Sequence, residues 1–201
     1  FENHEADILL GTQMVAKGLN FPKVNLVGVL QADIGMSIPD FSAGERLFQL
    51  LPQVSGRAGR VDAAGKVFIQ TYNPKELPLV CAKDHDYLQF YNGAIGEREE
   101  VGYPPFRRLA RLLFQGKNQA EVLRFSESVA SYLKKNAPKV QILGPVEALF
   151  ARLKGEFRYA LLLKAESHRE LQEAVYAFRV QNSRYPTKIR VKIDVDPVQM
   201  G

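Results

Sequence analysis

The strictest constraint in this chain is its last apolar run, where Ile189, Val191, Ile193 and Val195 alternate with Lys188, Arg190, Lys192 and Asp194. A period of two makes a strand, and a strand apolar on one side only needs a sheet with one covered face and one wet face. The apolar four are expected against helices, with Lys188, Arg190 and Lys192 projecting together from the other side. The preceding segments supply the rest of such a sheet. Phe106 to Phe114 reads as a strand, and Asn118 to Lys135 as a helix carrying Val122, Phe125, Val129, Tyr132 and Leu133 on one face. Val140 to Phe150 and Phe157 to Lys164 read as two more strands, joined by a hairpin around Lys154-Gly155. His168 to Gln181 is a second helix, with Leu171, Ala174, Val175 and Phe178 inward. The order βαββαβ is the ferredoxin-like plan, four strands with two helices on one face.

The first half follows a different pattern. Asp7 to Gly11, Val24 to Leu30 and Lys66 to Thr71 are short, nearly continuous apolar runs, which read as strands of a parallel sheet buried on both faces. Ser42-Ala43-Gly44-Glu45 has the form of a capping box opening a helix through Leu51. The order strand, strand, helix, strand is α/β, and because the chain opens almost directly in a strand, earlier elements of this sheet are expected upstream. A helical region from Glu76 to Val101, broken at Asn92-Gly93 and Gly96, leads to Gly102-Tyr103-Pro104-Pro105, a turn that marks the domain boundary. Two domains are expected, residues 1–101 and 102–201.

Charge separates the halves as sharply as pattern does. Residues 1–98 hold nine Lys+Arg against eleven Asp+Glu, and residues 99–201 hold eighteen against eleven, giving net −2 and net +7. Basicity concentrated in one domain points to an anionic partner, nucleic acid being the commonest, or to a solvated basic face. No apolar run approaches the roughly 18 residues of a membrane span, and the first residues have no signal-peptide layout. The single cysteine, Cys81, forms no internal disulfide and is expected as a small buried hydrophobe. No Cys/His cluster has the spacing of a zinc site, and Asp84-His85-Asp86 reads as polar residues in a helical run.

The sharpest motif is Gln53-Val54-Ser55-Gly56-Arg57-Ala58-Gly59-Arg60. Two arginines three apart on a helical turn point the same way, and the glycines beside them let a phosphate approach the backbone. An arginine held against a transferring phosphoryl group is worth on the order of 10³ to 10⁵ in rate. Forty residues upstream stands Gly11-Thr12-Gln13-Met14-Val15-Ala16-Lys17-Gly18-Leu19-Asn20-Phe21-Pro22. With it, the chain resembles the second RecA-like lobe of superfamily two helicases, the two stretches corresponding to motifs V and VI. Further stretches narrow the likeness: Val27 to Asp33, Pro39-Asp40-Phe41, Ala43 to Arg46, Gly102 to Pro105, Leu143-Gly144-Pro145 and Asp194-Val195-Asp196-Pro197. Together they resemble the PriA family of replication-restart helicases, over nearly the whole chain.

That resemblance implies an ATP-dependent 3′ to 5′ DNA helicase, and roles for particular residues. Arg60 would be the arginine finger, Arg57 a second γ-phosphate contact, and Gln53 an orienting group for phosphate or water. Gly18 and Asn20 would lie near ATP, with Asn20 standing where many relatives outside this family place an aspartate. Thr12 and Lys17 would couple that site to the DNA backbone. No G-x-x-x-x-G-K-[ST] loop and no D-E-x-H stretch occurs, so nothing here cradles the phosphates or holds Mg²⁺. The family places its first lobe, further DNA-binding domains and a zinc module upstream, so the chain reads as a carboxy-terminal part, inactive on ATP by itself. Implied partners are branched and single-stranded DNA, the single-stranded-DNA-binding protein and other primosome proteins, with no membrane, a monomeric state and a bacterial cytoplasmic, nucleoid-associated location. Two other readings stay open: another superfamily two translocase of recombination or repair, and a non-enzymatic DNA-binding adaptor.

The second domain has a basic surface in place of a catalytic constellation. Arg107, Arg108 and Arg111 stand on its first strand, Lys134, Lys135 and Lys139 after its first helix, Arg152, Lys154, Arg158 and Tyr159 about the hairpin, and Lys188, Arg190 and Lys192 on the last strand. The row on the last strand is a candidate phosphate track, and Tyr159 and Phe157 are candidates to stack on unpaired bases. The alternative is a solvated strand face with core aromatics.

Overall fold

Local signals of the second half act as they read. Asn118 caps a helix by accepting from the Glu121 amide at 3.1 Å, and Lys154 and Gly155 both take positive φ, 50° and 80°, in the two-residue turn of a hairpin. The computed structural model describes residues 5–12, 24–37, 39–56, 65–181, 186 and 188–200. They divide into two compact units, Phe1–Ile38 with Ser42–Ala94, and Pro39–Phe41 with Ile95–Gly201.

In the first unit, β1 (Leu26–Val29) and β2 (Lys66–Ile69) pair in parallel, with Leu26 opposite Lys66 and Val29 opposite Ile69. Between them lie a 3-10 turn (Ala32–Gly35) and α1 (Ala43–Ser55), and after them α2 (Leu77–Asp84). Leu47, Phe48 and Leu51 of α1 pack with Leu79, Cys81 and Phe90 in one core, where the rings of Phe48 and Phe90 stack at 4.2 Å. Cys81 is fully buried, and that burial, with Asp86 and Asp84 nearby, raises its thiol pKa.

Four expectations for this half need correction. Residues 7–11 form no strand, and Ile8 and Leu10 are exposed. β1 and β2 are covered on one face only, leaving Leu26 and Phe68 each 60% exposed. The serine half of the capping box is not made, since the Ser42 hydroxyl accepts from Arg46 Nη1 at 2.6 Å and makes no cap bond. The helical stretch breaks at His85, whose φ of 55° ends α2, while Asn92, Gly93 and Gly96 lie inside α3 (Tyr87–Val101). Packing outweighs propensity there: a Cβ on Gly93 would sit 2.5 Å from Leu77 Cδ2, so glycine permits the close approach of α2.

The second unit carries β3 (Arg108–Gly116), α4 (Gln119–Asn136), β4 (Gln141–Leu153), β5 (Glu156–Ala165), α5 (His168–Gln181) and β6 (Ile189–Val195). The sheet order is β4-β5-β3-β6 with every neighbour antiparallel, as the ferredoxin-like plan requires. Ala110, Leu112 and Phe114 of β3, Leu161 and Leu163 of β5, and Ile189 of β6 meet Val122, Val129 and Leu133 of α4 and Leu171, Ala174 and Phe178 of α5 in one core. Val191 and Ile193 pack against its edge as expected, whereas Val195 is 43% exposed beside α5.

Candidate nucleic-acid interface

Strand parity decides which cations share a surface. With the odd residues of β5 and β6 and the even residues of β3 in the core, the opposite face takes Arg158, Ala160, Leu162 and Lys164 from β5, Leu109, Arg111, Leu113 and Gln115 from β3, and Arg190, Lys192 and Asp194 from β6. The register lines these up in rows across the sheet: Arg190 with Gln115 and Arg158, Lys192 with Leu113 and Ala160, Asp194 with Arg111 and Leu162. Exposed positive charge is therefore gathered at the end of the face nearest the Lys154-Gly155 hairpin turn, while apolar residues, the Arg111-Asp194 pair and the buried Lys164 occupy the rest.

The candidates differ in what they offer. Lys188, Arg190 and Lys192 are exposed. Arg190 Nη2 is ion-paired with Glu156 Oε2, so part of its charge is committed within the sheet. Arg158 is half-buried and donates from Nη1 to the Phe150 carbonyl at 3.4 Å. Arg107 pairs with Glu166 at 3.4 Å at the foot of β3.

Two candidates are placed otherwise than expected. Arg111 is 8% exposed, with Nη2 3.4 Å from Asp194 Oδ2 and Nη1 donating to the Met200 carbonyl. The Met200 amide in turn donates to Asp40 at 3.1 Å, so the chain near Met200 lies over this guanidinium and closes it to a long anionic ligand. Tyr159 is 6% exposed, and its hydroxyl accepts from Gln119 Nε2 at 3.0 Å. The ring is packed in the core and presents no face to a base. The reason is parity: Tyr159 and Phe157 share the side of Leu161 and Leu163, opposite Arg158.

Two polar groups escaped the sequence reading. Lys164 is 4% exposed, donates to the Val101 carbonyl at 3.0 Å and sits 4.0 Å from the centre of the Tyr103 ring. Burial, then the charge of Arg107, lowers its pKa. It fixes the Gly-Tyr-Pro-Pro turn to β5, and its one signal in sequence is even parity within an apolar strand. Asp33 accepts from the Thr71 hydroxyl at 2.6 Å and the Tyr72 amide at 2.9 Å. These bonds, Thr71 first, hold its pKa below the usual carboxylate value.

Of the nucleotide-linked candidates, Gln53 is exposed on α1 and Thr12 is exposed at the end of residues 5–12. Lys17, Gly18, Asn20, Arg57 and Arg60 lie outside the described residues. Among the described residues no group of three His, Cys, Asp or Glu side chains could hold a metal ion, and no helix is long and apolar enough to cross a membrane.

Comparison with known proteins bears on both units. The helicase conserved C-terminal domain matches residues 1–62, and the primosomal protein N C-terminal domain matches residues 99–198. The replication restart protein PriA of Bacillus subtilis is 41% identical over the whole chain, and that of Treponema pallidum 40% identical. The PriA protein of Rickettsia felis is 39% identical over 98% of the chain. The chain spans 25% of the length of the first of these relatives and 30% of the other two. With a helicase C-terminal match on the α/β half and the primosomal match on the ferredoxin-like half, the chain belongs to the PriA family of replication restart proteins.

Proposed function

We propose that this chain supplies the second lobe and a DNA-engaging domain of an ATP-dependent 3′ to 5′ DNA helicase that recognises branched DNA and restarts stalled forks through primosome assembly. The observation that carries the DNA-binding part is the exposed set Lys188, Arg190 and Lys192 at one end of a sheet face whose other cations, Arg111 and Lys164, are buried. Alternate residues on a strand stand about 7 Å apart on one side, which suits a ligand with repeated charge. Arg158 adds a fourth cation across the row from Arg190. The name shared by the relatives, replication restart protein, supports the process.

In this reading Arg60 is the arginine finger, Arg57 a γ-phosphate contact and Gln53 an orienting group. Gly18 and Asn20 approach the nucleotide, and Thr12 and Lys17 the DNA backbone. Bound ATP with Mg²⁺ supplies the phosphoryl group whose hydrolysis drives movement along DNA. Zinc belongs to the upstream part of the family's architecture. The single-stranded-DNA-binding protein and other primosome proteins complete the partners, the working state is a monomer, and the setting is the bacterial cytoplasm near the nucleoid.

Fluorescence anisotropy with forked and single-stranded DNA at two salt concentrations tests the interface, together with the double variant Arg190→Glu, Lys192→Glu. The expected result is binding that weakens with salt, with a log–log slope of about −0.7 per phosphate on single strands, and its loss in the double variant. A flat salt response, or an unaltered double variant, rejects the track on β6. The chain alone is expected to show no DNA-stimulated ATP hydrolysis.

A further inference from the structure

The β4-β5 hairpin carries a surface that the basic face does not explain. Its ladder pairs Glu147 with Tyr159 and then resumes at Arg152 with Phe157, so Ala148, Leu149, Phe150 and Ala151 of β4 stand against Arg158 alone. A bulge of this kind bends its strand and re-aims the side chains it carries. Here it holds four apolar residues at a sheet edge, and Phe150 is left 60% exposed with Leu149 40% exposed beside it.

The surroundings of Phe150 are cationic. Arg158 donates to the Phe150 carbonyl, which ties the bulge to β5. Arg152 is exposed and rides over the Phe157 ring at 5.2 Å from its centre, and Lys154 stands exposed at the turn. The two carboxylates of the hairpin are engaged elsewhere, Glu156 with Arg190 and Glu147 3.5 Å from the Tyr159 hydroxyl. An exposed ring set among cations matches a polyanion that also offers flat π faces. Unpaired nucleotides have both, while duplex DNA keeps its base faces stacked.

We propose that Phe150 is a base-stacking finger that inserts against an unpaired base at a DNA branch, while Arg152 and Lys154 hold the flanking phosphates. It takes the role first assigned to Tyr159, and it rests on the reading of this domain as DNA-binding. The finger adds selectivity for unpaired DNA to the charge supplied by β6.

The chain contains no tryptophan, so Phe150→Trp introduces a single reporter indole. Its emission is expected to fall on titration with single-stranded DNA or a fork with an unpaired arm, and to stay constant with blunt duplex at saturation. Phe150→Ala and Phe150→Leu are expected to bind single-stranded DNA about ten- to a hundredfold more weakly, with duplex affinity and salt slope unchanged. A protein pocket that accepts an apolar plug would tolerate leucine, so unchanged DNA binding by Phe150→Leu overturns the proposal. Constant emission at saturating fork overturns it too, while leaving the β6 track intact. Absence of any DNA binding by the unaltered chain overturns both.

Discussion

The two units use the same side-chain types to opposite ends. The second places a four-stranded sheet under two helices and leaves Leu112, Phe114, Leu161, Leu171 and Phe178 with no exposure. Among the described residues, the first covers two parallel strands of four residues each on one face only and leaves Leu26, Leu30 and Phe68 largely in solvent. Extent of covered sheet, more than apolar content, decides how much burial a segment obtains, and burial is the main favourable term in folding.

The sharpest way to break this contrast is Phe178→Ala. The ring is fully buried and meets Phe114 edge-on at 6.4 Å, so its removal is expected to cost about 3 to 5 kcal/mol. Denaturant unfolding gives the total, and hydrogen exchange read by mass spectrometry shows whether the loss is confined to residues after 95. An equal loss of protection in α1 would abolish the distinction between the units.

A smaller effect is expected from Lys164, through pH. Its pKa is depressed in the folded state, so above that pKa the unfolded chain binds more protons and stability rises with pH until the ordinary lysine value near 10.4 is passed. Compared with Lys164→Met, the unaltered chain is expected to gain stability between neutral and alkaline pH, by less than about 1.4 kcal/mol per pH unit. Parallel pH profiles of the two proteins would show that the ammonium is well solvated.

The smallest effect tests the first unit. Asp33 has a lowered pKa, so its contribution is present above the ordinary carboxylate range and is lost as pH falls through the folded value. Asp33→Asn is expected to speed amide exchange at Tyr72 and Asn73 at neutral pH, with the difference from the unaltered chain vanishing in acid. Exchange changes extending into the second unit would contradict the separation drawn here.

Much of the second unit was legible because its signals are local. The Asn118 cap, the Lys154-Gly155 turn and the alternation from Lys188 to Ile193 each act within a few residues, and the strands and helices lie within two residues of where pattern put them in most cases. Parity for Tyr159 was also available, since its neighbours Leu161 and Leu163 are core residues and Arg158 is not. Other features depend on partners distant in the chain. Arg111 is closed by Met200 and Asp194, and the break at His85 in place of Gly93 depends on Leu77 packing against α3. The bulge at 148–151 exists only as a mismatch between two strands, which no single segment displays. For the nucleotide-linked motif, the residues named in sequence were carried by resemblance and spacing, and of them the structure describes Gln53 and Thr12.

The bulge of β4 has one more consequence. β4 is an outer strand, and a long, regular outer strand offers an uninterrupted row of amides and carbonyls on which another chain can polymerise. Four residues standing against one interrupt that row midway, with a lysine and two arginines close by to repel a like copy. The same bulge that carries Phe150 thus makes this outer edge a poor template for strand addition by another chain.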